Sequence, residues 1–251
     1  MTRRKVAYGP DRSQYGHLYL PAARDARAPL VVLVHGGSWS TEFALVVESA
    51  VARDLAARGA VVWNVEYRRV EEDGGGWPGT GRDVVDALRA LDGPVAERLA
   101  VAGVKIDRNS VAVVGHSAGG QLAVWAVARL GAATERHRIT TVIPQSAVLD
   151  FTVDGVRDKP SVVGLMGRPY PEAVHRYREA SPALLDPFDA TVEVVHTVDD
   201  QAVPVELSRH YVREVTARGQ RARLHETPGD HAAFVDPRSA AHRQTLRLLG
   251  L

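Results

Sequence analysis

Two hydrophobic periods alternate along this chain. Short apolar runs bounded by turn residues read as strands buried on both faces, and longer stretches with apolar positions three or four apart read as amphipathic helices. Residues 5–8 and 14–20 predict an opening pair of strands, followed by a polar connection at 25–28. Residues 29–34, Pro-Leu-Val-Val-Leu-Val, form a continuous apolar run that leads straight into the turn sequence His35-Gly36-Gly37-Ser38-Trp39. A helix is predicted over 43–58, stopped by Gly59, then a strand over 60–67, a loop at 71–76, and a helix opened by Pro78 and Gly79 that runs to about Leu99. Further strands are predicted at 111–114, 140–148, 192–197 and 221–226. Helices are predicted at 117–130, 205–218 and 237–249, with Gly131, Gly219 and Gly250 as stops.

This order predicts an α/β fold, a mostly parallel central sheet with helices on both faces, whose site sits at the carboxyl ends of the strands. The 251 residues suit a single domain. One stretch, 150–190, breaks the rhythm: it carries prolines at 160, 169, 171, 182 and 187 and only short helical pieces. An insertion of that size between strands predicts a lid or cap.

Composition narrows the partners. With 31 basic and 30 acidic residues the formal net charge is +1, and no basic run reads as a tail, so neither nucleic acid nor a membrane is an expected partner. Lys5, Lys105 and Lys159 are the only lysines in an arginine-rich sequence. The absence of cysteine excludes disulfides, thiolate catalysis and cysteine metal sites. The start, Met1-Thr-Arg-Arg-Lys, lacks the apolar core of a signal peptide, and no run approaches the roughly 18 apolar residues of a membrane span. The expectation is a cytoplasmic monomer or homodimer acting on a small molecule.

Chemistry concentrates just past the predicted strands. Gly115-His116-Ser117-Ala118-Gly119 matches Gly-x-Ser-x-Gly between a strand and a helix. A turn that sharp strains the serine backbone, needs glycines two positions either side, and holds the hydroxyl clear of the sheet at a helix N-terminus. The loop at 35–39 can aim backbone N–H groups at a developing oxyanion; Gly37 and Ser38 are assigned that role, with Ala118 as the third donor. A serine nucleophile needs a base, and the base an orienting carboxylate. Among ten histidines, His196 lies within a strand and His225 in extended sequence. His231, in Thr227-Pro228-Gly229-Asp230-His231, lies in a turn between the last strand and the last helix and is the candidate base. Asp199 and Asp200 both follow the preceding strand, in the chain order Ser, Asp, His; Asp186 and Asp189 belong to the insertion. Trp39, Phe151, Leu165 and Met166 are candidates for an apolar substrate wall. No metal or organic cofactor is needed for this chemistry.

Taken together, His35-Gly36-Gly37-x-Trp39, Gly-His-Ser-Ala-Gly-Gly at 115–120, Asp-x-x-Val-Pro at 200–204 and Gly-Asp-His-x-x-Phe at 229–234 resemble the α/β-hydrolase superfamily. The nearest likeness is to its esterase, arylformamidase (kynurenine formamidase-like) and prolyl-oligopeptidase-like branch, from about residue 29 onwards. The resemblance implies Asp200 rather than Asp199 as the acid. It also implies a hydrolase acting on a small ester or an N-acyl or N-formyl aromatic amide, with a small-peptide hydrolase or a non-catalytic binding protein on the same fold as rivals. Glu66-Tyr67-Arg68-Arg69, Trp77-Pro78-Gly79 and Asp83 are similar to structural residues of that branch. Two positions depart from the pattern: Thr197 stands where glycine is common before the acid loop, and Ser38 where hormone-sensitive-lipase-like esterases have a third glycine.

Overall fold

The computed structural model describes residues 1–22 and 27–251. Its strands are β1 (Thr2–Ala7), β2 (Tyr15–Leu20), β3 (Ala28–Val34), β4 (Val61–Val65), β5 (Ile106–His116), β6 (Ile139–Gln145), β7 (Thr191–Thr197) and β8 (Ala222–Thr227). They form one sheet in the order β1-β2-β4-β3-β5-β6-β7-β8. β1 and β2 pair antiparallel with each other, and β2 with β4; every pairing from β4 to β8 is parallel. The helices are α1 (Ser49–Ala57), α2 (Gly79–Arg89), α3 (Pro94–Ala102), α4 (Ala118–Arg129), α5 (Pro160–Met166), α6 (Tyr170–Ala180), α7 (Val205–Ala217) and α8 (Ala240–Leu249).

The continuous apolar runs exist because both faces of the sheet are covered. Along β3, Leu30, Val32 and Val34 pack with Val84 and Leu88 of α2 and Leu122 of α4. The alternate residues, Val31 and Leu33, pack with Val51 and Leu55 of α1 and Leu246 of α8 on the other side. Full burial of each such side chain contributes about 1.5–3 kcal/mol. β1 needs no such cover. It is one of the two sheet edges, and its exposed Arg3, Arg4 and Lys5 discourage pairing with another chain.

Among the differences from the sequence expectation, four stand out. The helix expected over 43–58 is a short 3-10 turn at Leu45–Glu48 followed by α1. The helix expected from Pro78 to about Leu99 is two helices, because Pro94 bars a helical conformation at Gly93 and opens α3 itself. β5 begins five residues before the apolar run. Its first half, Asp107-Arg108-Asn109-Ser110, is largely exposed and so carried no hydrophobic signal. Of the polar connection expected at 25–28, Asp25 and Ala26 lie outside the described residues, and Ala28 already belongs to β3.

The 150–190 stretch is anchored rather than free-standing. Phe151, Leu165, Met166 and Tyr177 are fully buried in the larger core. The Trp77 amide donates to the Leu165 carbonyl at 2.8 Å, Gln121 of α4 donates to the Ala180 carbonyl at 2.9 Å, and Trp125 to that of Glu179 at 2.9 Å.

Candidate active site

The site grows from the carboxyl ends of β3, β5, β7 and β8. Ser117 follows β5 with φ 50° and ψ −117°, a conformation L-residues rarely adopt, and caps α4. Its amide is pinned to the Gln145 carbonyl at 2.8 Å. Gly119 is what lets the helix leave so steeply: a Cβ there would lie 2.1 Å from the Val34 carbonyl oxygen. The serine is therefore held at the positive end of a twelve-residue helix.

After β3, Gly37, Ser38 and Trp39 have φ of 113°, 53° and 59°. Gly37 must be glycine, since a Cβ there would meet the Phe43 side chain at 2.3 Å. Among the described residues the amides of Gly37 and Ser38 make no hydrogen bond, so both donors are unspent. The base of this loop is braced by the residues after β4. His35 Nε2 lies 2.8 Å from Glu66 Oε1, and the Tyr67 hydroxyl donates to the His35 carbonyl at 2.8 Å with the two rings stacked 4.3 Å apart. Arg68 in turn forks onto Asp83 through Nε at 2.9 Å and Nη2 at 2.7 Å.

His231 Nδ1 lies 2.7 Å from Asp200 Oδ2. The other oxygen of Asp200 accepts the amides of Ala202 and Val203, each at 2.9 Å. Burial alone would raise the Asp200 pKa. The hydrogen bonds from His231, the Val203 amide and the Ser146 hydroxyl outweigh it and hold the carboxyl well below the usual carboxylate range. His231 thus presents its N–H to an ionised acid, which leaves Nε2 as the proton acceptor. Asp199 points elsewhere: it is exposed, and its carboxylate accepts the Gly229 amide at 3.4 Å. His196 is buried between Ser208 and the Val203 carbonyl, and His225 is bound to Glu193.

Ser117, Ala118, His231, Gly37 and Ser38 all line one cavity of about 340 Å³. Asp200 stands behind His231, outside its wall. The Ser117 hydroxyl makes no hydrogen bond among the described residues, so the Ser117–His231 link is open in this structure. Such contacts commonly tighten when substrate arrives. Trp39 lines the cavity together with Phe43, Val47, Val148, Val162, Val203 and Val235. Phe151, Leu165 and Met166 do not. They are 0%, 1% and 0% exposed and serve the core, with Phe151 edge-on to Trp39 at 5.5 Å. These three apolar residues anchor the insertion in the core and so do not reach the cavity wall.

Three residues that the motifs did not flag complete the picture. His116, the unspecified position of Gly-x-Ser, places Nε2 2.9 Å from the His231 carbonyl. Burial first, and then the proximity of His231, lower its pKa to about 3, so it is a neutral donor at ordinary pH. Ser146, at φ 41° just past β6, is fully buried beside Asp200. Lys159 reaches the cavity from the insertion. Among the described residues no cluster has the composition of a metal site, and no helix is long and apolar enough to cross a membrane.

A mostly parallel sheet of this order, with a strained serine after its central strand and an Asp–His pair after later ones, is the α/β-hydrolase fold. Residues 17–215 match the BD-FAE family, and the chain belongs to it. Esterase LipC of Mycobacterium tuberculosis is 30% identical over 261 residues, covering 92% of this chain and 60% of that protein, so the chain spans about three fifths of that relative's length. Among solved structures, a truncated carbohydrate esterase from gut microbiota superposes with a TM-score of 0.82 at 18% identity, covering 100% of this chain and 95% of that one. A bacterial heroin esterase superposes at 0.76 with 22% identity, covering 99% and 82%. At these identities the two structures speak for the fold alone.

Proposed function

We propose that the chain is a serine hydrolase of small carboxylic esters, with Ser117 as nucleophile, His231 as general base and acid, and Asp200 as the orienting carboxylate. The observation that carries this reading is the shared cavity: a strained serine and a histidine held at 2.7 Å by a buried carboxylate open onto the same space. Ser117 Oγ attacks the acyl carbon as its proton passes to His231 Nε2, and the amides of Gly37, Ser38 and Ala118 receive the oxyanion. The leaving alcohol departs with the proton from His231, and water, activated by the same imidazole, releases the acid from Ser117. The 150–190 segment acts as the cap, supplying Lys159, Ser161 and Val162 to the cavity wall. Ester rather than amide cleavage is favoured by the names of the relatives, which include an esterase and an isoprenylcysteine α-carbonyl methylesterase.

Ser117→Ala is expected to abolish hydrolysis of p-nitrophenyl acetate and labelling by a fluorophosphonate. A wild-type protein that neither turns over the ester nor takes the label would make this a binding protein on a hydrolase fold. Turnover of N-formylkynurenine at a higher kcat/KM than aryl esters would replace the ester reading with the arylformamidase one.

A further inference from the structure

One cation faces the cavity without a role in the chemistry above. Lys159 immediately precedes α5 and lines the same cavity as Ser117 and His231. Its ammonium donates to the Ala202 carbonyl at 2.7 Å, in the turn that follows Asp200. An ammonium has three donors, so two remain. Among the described residues no carboxylate lies within ion-pairing reach of Lys159. The nearby acids Asp154 and Asp158 are engaged by Arg157 at 2.7 and 3.7 Å. Ser161 lines the same wall, and among the described residues its hydroxyl is also unpartnered. The surrounding wall is apolar, with Trp39, Val148, Val162 and Val203, which lowers the local dielectric and strengthens attraction to an anion.

We propose that Lys159 and Ser161 form an anion-recognition element, and that the preferred substrate is an ester carrying a carboxylate besides the bond that is cleaved. This rests on the ester-hydrolase reading and names its substrate class. A neutral ester would leave the two remaining donors of this half-buried lysine to water, whereas a carboxylate would complete its hydrogen bonds and offset its charge.

Two matched pairs test it. In 4-acetoxybenzoate and its methyl ester the charge lies on the alcohol part; in p-nitrophenyl hydrogen succinate and p-nitrophenyl butyrate it lies on the acyl part. In at least one pair the wild type is expected to favour the anion by kcat/KM, with the preference shrinking at high salt. Lys159→Met is expected to lower that anion-to-neutral ratio roughly tenfold or more, and Lys159→Arg to retain most of it. The pair that responds reports which part of the substrate faces Lys159. Hydrolysis of the neutral esters with no anionic preference in either pair overturns the proposal and leaves the ester reading standing. So does an equal loss on both members of each pair in Lys159→Met, which assigns the lysine to tethering the cap at Ala202. Failure of the wild type on all four esters, without fluorophosphonate labelling, removes both readings.

Discussion

Asparagine at position 200 isolates the work of the carboxylate. Asp200 Oδ1 accepts two backbone amides at 2.9 Å, and Oδ2 faces His231 Nδ1 at 2.7 Å. In Asp200→Asn the side-chain oxygen must stay with the two amides, because the NH₂ group cannot accept from them. That turns the NH₂ towards His231, and two donors cannot face each other at that distance. The imidazole then switches tautomer, Nε2 carries the hydrogen, and the proton of Ser117 has no acceptor. The expected loss in kcat is about a thousandfold to ten-thousandfold, which at 1.36 kcal/mol per decade corresponds to about 4–5.5 kcal/mol of transition-state stabilisation. KM should change little, since Asp200 does not itself line the cavity and the side-chain oxygen of the variant keeps the two amides that hold the wall at Ala202 and Val203. Asp199→Asn is the control: its side chain is exposed, and the change should stay within about twofold. Steady-state kinetics on p-nitrophenyl acetate measure both. Asp200→Asn retaining more than a tenth of kcat, or Asp199→Asn losing as much as Asp200→Asn, would refute the tautomer argument.

Two further predictions follow from buried groups near the site. Glu48 is buried with Oε1 unpartnered, and burial raises its pKa to about 8. The folded state therefore keeps a proton that the unfolded chain has released, and stability falls as pH rises from about 4.5 to about 8. Glu48→Gln should flatten that fall and raise Tm at pH 8 by more than at pH 5; equal changes in calorimetry at both pH values would discard the explanation. His116→Phe keeps a ring but removes the bond to the His231 carbonyl. It should lower kcat about tenfold with the limbs of the pH–rate profile unmoved, because His116 does not titrate near neutrality. A displaced limb would show that His116 takes part in proton transfer.

What the sequence disclosed depended on how local each signal was. β3, the turn at Ser117 and the stop at Gly250 were legible because a doubly buried strand, a strained elbow and a left-handed cap each write a short pattern into adjacent residues. The polar half of β5 was not, since exposed strand residues carry no hydrophobic period. The substrate wall was misread for a different reason. Phe151 and Met166 are as apolar as Trp39, and only tertiary packing decides which face the core and which the cavity. Lys159 and Ser146 were invisible for the same cause: neither belongs to a motif, and both gain meaning from chain segments brought to them by folding.

Strain at the site is concentrated and has a visible counterweight. Ser38, Trp39, Ser117 and Ser146 all have positive φ, and all follow the carboxyl ends of β3, β5 or β6. Each such residue costs on the order of 1–3 kcal/mol and persists only where its surroundings fix it. For Ser117 the fixing contact is the β6 carbonyl of Gln145, and for Trp39 it is Gln121, whose other end holds Ala180 of the 150–190 segment. For the loop carrying Gly37 and Ser38 it is Glu66, which follows β4 and contributes no atom to the cavity wall. Burial would neutralise Glu66, yet hydrogen bonds from His35 and the Leu45 amide, with the charge of Arg69, keep its pKa below the ordinary value. The loop whose amides are proposed to receive the oxyanion is therefore braced by a buried anion behind it. Its geometry is decided by the polar interior under the sheet's carboxyl edge as much as by the glycines that announce it.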